Sequence, residues 1–145
     1  MEDFKDRLKE LIEESGLTLR QLSSKIQIST SQLSRYLNGT IPTLTVAVKI
    51  ANYFNCSLDF LFGISEKLNG NFKETFDIEK FIDRYQDLLI KSNTTHYKFC
   101  QKYTLSESSL RHWKSGNIPS LENLIFIANT LLSSLDYLVG RKDKE

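Results

Sequence analysis

Apolar residues recur at helical spacing through most of this chain, broken by caps and stops. Phe4, Leu8, Leu11 and Ile12 form one stripe, which predicts an amphipathic helix over residues 1–15 that Gly16 ends. Two short helices follow within Thr18–Gly39. Thr18 suits the N-cap of the first, with Gln21 three residues on to complete a capping box. Leu19, Leu22 and Ile26 are its apolar positions, and Gln27-Ile28 form the turn. Ser29 caps the second helix and Asn38-Gly39 stop it. Here Leu33, Tyr36 and Leu37 share one face, while Ser31, Ser34, Arg35 and Asn38 occupy the other. A short helix with an apolar back and a small polar front bearing one arginine suits a DNA major groove, and equally a solvated helical hairpin. Pro42 cannot continue a helix. Thr43 caps the next one, whose Leu44, Val46, Ala47, Ile50, Ala51 and Phe54 are apolar nearly all round and predict burial. Ser57 opens a last short helix, Leu58 to Phe62, closed by Gly63; this makes five helices.

The pattern then begins again. Residues 66–75 have the polar, Gly- and Asn-containing look of a linker between domains at 1–65 and 76–145. A shift of 77 positions carries Pro42 onto Pro119, Gly39 onto Gly116 and Gly63 onto Gly140. The same shift lays Phe4 on Phe81, Leu11 on Leu88, Thr18 on Thr95, Ser29 on Ser106 and Leu33 on Leu110. Ile50-Ala51-Asn52 and Ser57-Leu58-Asp59 also recur, as Ile127-Ala128-Asn129 and Ser134-Leu135-Asp136. Caps, stops and core positions repeating together predict a duplicated all-α domain.

Composition narrows the function less than the pattern does. The 145 residues are 40% hydrophobic and include only two prolines, enough to bury a core. A net charge of +1 neither demands nor excludes nucleic acid, because a local basic face is enough for phosphates. No apolar run is long enough to cross a bilayer, and the charged start, MEDFKDRLKE, does not read as a signal peptide. Cys56 and Cys100 belong to no metal or disulfide pattern, so they are expected to fill small core positions in a reducing cytoplasm. No metal or other cofactor is expected. His96 and His112 lack a nucleophile partner at recognisable spacing, no Gly-rich phosphate loop is present, and most glycines stop helices; an enzyme is not expected.

Each half resembles the helix-turn-helix domain of the Cro/C1 repressor family, also called the Xre family. The resemblance lies in Leu33-Ser-Arg-Tyr-Leu-Asn-Gly39 with Ile41-Pro42, and in Leu110-Arg-His-Trp-Lys-Ser-Gly116 with Ile118-Pro119-Ser120. The endings Ser57 to Gly63 and Ser134 to Gly140 carry it too. It implies two tandem five-helix, lambda-repressor-like domains, the third helix of each being the recognition helix. It also implies sequence-specific binding of double-stranded DNA by a transcriptional regulator, a repressor, commonly as a homodimer on a palindrome. By position, base contacts fall to Thr30, Ser31, Ser34 and Arg35, with Arg35 able to pair with both guanine acceptors; Gln32 could serve bases or phosphates, and Ser29 joins them as a DNA-binding residue. Arg20 and Asn38 are candidates for phosphate contacts, which position without specifying. Leu19 stands where the family often has a glutamine, and Gln27 and Thr104 replace the usual turn glycine. In the second half the matching positions are Glu107, Ser108, Arg111 and His112, with Lys98, Lys102 and Lys114 nearby; Lys98 is the best phosphate candidate. That half either contacts DNA or is a degenerate copy kept for dimerisation or structure, and His96-Tyr97 could be a packing surface. Tyr36 and Trp113 are expected in the core.

The polar stretch from Ile64 to Thr75, roughly a dozen residues, spans about 40 Å when extended. Successive major grooves lie about 34 Å apart, so one chain can reach two half-sites. The monomer case predicts a non-palindromic site and the dimer case a palindrome. The rival to DNA binding is a protein-interaction module (antitoxin, antirepressor or adaptor) that keeps the repressor fold and takes a regulatory protein. A usage rich in Lys, Asn, Ile and Phe suggests an AT-rich bacterial or phage genome.

Overall fold

The computed structural model describes residues 2–66 and 70–144. Ten helices and no strand occur among them: α1 (Glu2–Ser15), α2 (Leu19–Ile26), α3 (Thr30–Leu37), α4 (Leu44–Tyr53) and α5 (Leu58–Leu61), then α6 (Ile78–Lys91), α7 (His96–Lys102), α8 (Ser109–Lys114), α9 (Leu121–Thr130) and α10 (Leu135–Leu138). They fall into two compact units, Met1–Asn71 and Phe72–Glu145. Helix starts follow the side-chain caps: Thr18, Ser29, Thr43 and Ser57 in the first unit, and Asp77, Thr95, Ser120 and Ser134 in the second, each accept a backbone N–H three residues on. Each satisfies a donor that the first helical turn leaves without a partner.

In the first unit Phe4 lies against Tyr36 and Phe62, with ring centroids 6.3 and 4.9 Å apart. Leu8, Leu22, Leu33, Ile50 and Leu58 are fully buried around them. In the second unit Phe81 meets Trp113 edge-on at 5.0 Å, and Tyr85, Leu124, Ile127 and Leu135 close the core. Tyr36 and Trp113 are thus core residues, as their place on the inward face of the third helix requires. Cys56 and Cys100 are buried and form no disulfide.

One arginine fastens the ends of each unit. Arg7 on α1 donates to the carbonyls of Phe60 and Ser65, at 2.6 and 2.7 Å, and its guanidinium stacks 4.3 Å over the Phe60 ring. Arg84 on α6 does the same to Tyr137 and Lys142, stacking 4.2 Å over Tyr137. Contacts also involve the two ends of the stretch expected as linker. Glu66 pairs with Arg7 at 3.0 Å. Lys73 donates its backbone N–H to Arg141, whose guanidinium stands 5.5 Å from the Phe72 ring. Residues 67–69 of that linker lie outside the described residues.

Candidate nucleic-acid interface

The α2–turn–α3 segment is held by local bonds. Thr18 and Gln21 form a complete capping box, as do Ser29 and Gln32. Between the helices Gln27 takes the left-handed conformation at φ 57°, donating its N–H to Ser23. A left-handed residue other than glycine carries a steric cost, which glutamine bears here. Gly39, at φ 106°, ends α3 and lets Thr40 donate back to Arg35. With Leu33 and Tyr36 buried, α3 turns Thr30, Ser31 and Arg35 outward. Arg20, Ser29 and Asn38 are exposed too, while Ser34 and Gln32 are half-buried. Gln32 spends its side-chain oxygen on the Ser29 cap. Arg20 and Arg35 make no ion pair among the described residues. Leu19 is half-buried and offers no polar contact.

The charge distribution sharpens this face. From Gly16 to Leu58 the sequence contains no carboxylate, yet it carries Arg20, Lys25, Arg35 and Lys49. The acids of the unit crowd onto α1, where Asp3, Asp6, Glu10, Glu13 and Glu14 are exposed. Net charge conceals this segregation, which was open to a reading of the sequence by segment.

The second unit differs at the corresponding place. Helix α7 stops at Lys102, and Tyr103 turns extended at φ −123° instead of left-handed. Its ring packs against Phe99 and Phe126, at 4.9 and 5.2 Å. Leu105 is buried, as Ile28 is in the first unit. Ser106, expected as a cap by its match to Ser29, does not cap the helix. It binds the Ser108 hydroxyl and backbone N–H, and α8 begins only at Ser109, with no side-chain cap. Glu107 and Ser108 are therefore in a turn ahead of α8 rather than on its first turn. The Glu107 carboxylate accepts from Gln101 at 2.8 Å, and its carbonyl lies 3.0 Å from His96 Nε2. The other ring nitrogen of His96 is 2.7 Å from the Tyr85 hydroxyl. Burial drives the Tyr85 phenol far above its ordinary value, and burial followed by the Glu107 charge raises the Cys100 thiol. Arg111, His112 and Lys114 remain exposed on α8. Lys98 borders a cleft with Ser92, Thr94 and Lys102, roughly opposite His96 around the axis of α7.

Fold and site together define an all-helical protein whose first unit carries a helix-turn-helix. The helix-turn-helix family model matches residues 8–61, spanning most of α1 through α5 and ending ahead of the second unit. Neither the curated proteins nor the solved structures gave a match. No helix among the described residues is long and apolar enough to cross a membrane.

Proposed function

We propose that this chain is a sequence-specific DNA-binding transcriptional regulator of the Cro/C1 type, acting in the cytoplasm as a repressor that occupies its site on double-stranded DNA. The observation that carries this reading is the exposed front of α3, with Thr30, Ser31 and Arg35, set in a stretch free of carboxylates. Arg35 reads a base pair directly, its fork matching the O6 and N7 acceptors of guanine. Arg20 and Asn38 hold phosphates and set the register. Thr30, Ser31 and Ser34 contribute short hydroxyl contacts, the Ser29 hydroxyl is spent on the α3 cap, and Gln32 acts through its amide N–H group. In the second unit Arg111, His112 and Lys114 touch DNA in a supporting way. Glu107, tied to Gln101 and His96, is not assigned a base contact, and the Ser108 hydroxyl is engaged by Ser106.

Selection of bound sequences from random duplexes at moderate salt tests this. A motif should emerge, and Arg35→Ala should relax it at one or two base pairs, by about 1–3 kcal/mol. Affinity should fall steeply with salt, with a log–log slope of about 0.9 per phosphate neutralised. A second reading, a protein-interaction module, draws on the second unit, where Ile90, Tyr97 and Leu132 are 73%, 61% and 88% exposed. If no motif emerges and the chain instead retains a protein at the same salt, this reading replaces the first.

A further inference from the structure

The second unit contains a small cleft between the α6–α7 connection, the outer face of α7 and the end of α9. Its volume is about 180 Å³. It is below the roughly 300–1,000 Å³ of pockets that hold drug-sized ligands. Its floor is apolar, with Phe99 and Leu131 both buried. Its rim carries Lys98, Lys102, Ser92 and Thr94. No carboxylate borders it, and neither lysine forms an ion pair among the described residues. Lys98 and Lys102 are four residues apart on one helix face, a like-charge spacing that opposes the helix when nothing lies between the charges. The Lys102 ammonium is 5.6 Å from the Tyr103 ring centre, within cation–π reach.

Comparison at the 77-residue shift isolates what is special here. Gln21, the counterpart of Lys98, spends its side chain on the Thr18 capping box. Lysine cannot accept that bond, so α7 keeps only the Thr95 half of the motif. Leu17 gives way to Thr94, and Ile26 to Tyr103. The second unit thus replaces a glutamine cap and two aliphatic side chains with a cation and two hydroxyls around an apolar floor.

We infer that this cleft binds an organic phosphate, its charged head between Lys98 and Lys102 with hydroxyl donors from Ser92 and Thr94, and its apolar part on Phe99 and Leu131. The phosphate can belong to a small phosphoester or to a deoxyribose of the DNA backbone. The inference does not depend on the reading of α3.

The test is a titration of phenyl phosphate into the full chain without DNA, followed through backbone amide chemical shifts. Shifts confined to Thr94, Lys98, Phe99, Lys102 and Leu131 are expected, with binding weakened about tenfold or more in a Lys98→Met/Lys102→Met variant. Thr94→Val, a milder change, should weaken it less. A thermal melt of each variant matching that of the parent verifies the fold. Absence of shifts at the cleft, unchanged binding by the double variant, or equally tight binding of neutral benzyl alcohol would overturn the inference. Repeating the titration with a saturating duplex separates the two sources. Displacement by DNA identifies a backbone phosphate, and simultaneous binding identifies a small phosphoester. Failure of the α3 reading would appear only in the sequence selection, and failure of the cleft only here.

Discussion

His96 joins three parts of the second unit through its two ring nitrogens. Nε2 faces the Glu107 carbonyl, an acceptor, so it carries the proton; in the neutral ring Nδ1 then accepts from the Tyr85 hydroxyl. The ring that carries this hydroxyl packs against Phe81, Phe99 and Trp113. Tyr85→Phe should therefore cost about 1 kcal/mol in urea unfolding, the net worth of one hydrogen bond, with little change in volume. The counterparts of Tyr85 and His96, at the 77-residue shift, are Leu8 and Leu19, so the first unit has an apolar pair there. A more costly residue is Arg141. It is 1% exposed and donates to Asp136 at 2.7 Å, while Asp136 is fully buried. Arg141→Met should destabilise the chain by about 3 kcal/mol or more, because it breaks a buried ion pair from one side; equilibrium unfolding measures this. None of these partnerships could be read from the sequence. Arg141 opens the tail RKDKE, which looks solvated, and Phe72, which its guanidinium faces, stands in a stretch that reads as linker.

Helices α3 and α8 show how far spacing alone carries. Their apolar positions, Leu33 and Tyr36 against Leu110 and Trp113, match at the 77-residue shift, and both helices were visible in the pattern. The beginning of α3, at the Ser29 cap, was visible too; that of α8 was not. The start of a helix depends on which side chain captures the first free N–H groups, and in the second unit Ser106 bonds Ser108 while Gln101 and His96 hold Glu107. Ser29→Ala should cost about 1 kcal/mol in unfolding free energy, as lost N-caps do. Ser108→Ala, at a cap position with no capping bond, should stay within about 0.5 kcal/mol. Equal losses would contradict the difference between the two starts. The front of α3 was legible because exposure follows from helical phase, whereas the cleft beside α7 was not. It is made by elements distant in the chain, and Lys98 read naturally as a DNA contact.

At the scale of the whole molecule, the two units carry separate cores, and the proposed function gives most of the DNA contact to the first. If that division holds, Arg35→Ala should reduce specific binding far more than Arg111→Ala, as a gel-shift titration of the selected site would measure. The five-helix plan of each unit was legible, down to the caps that begin most helices and the glycines that end several of them. The arginine clamps were not, because Arg7 and Arg84 lie in amphipathic helices where a charged residue on the outer face attracts no notice. Arg7 and Arg84 have a consequence for the history of such a chain. Each fastens the first helix of its unit to the backbone just past the last, so the chain enters and leaves a unit at neighbouring points. A module with adjoining ends can be copied in series through a short connector without threading the new copy through the old. The same closeness would let a unit be re-cut at another loop, its old ends spliced together, with the packing of its helices preserved.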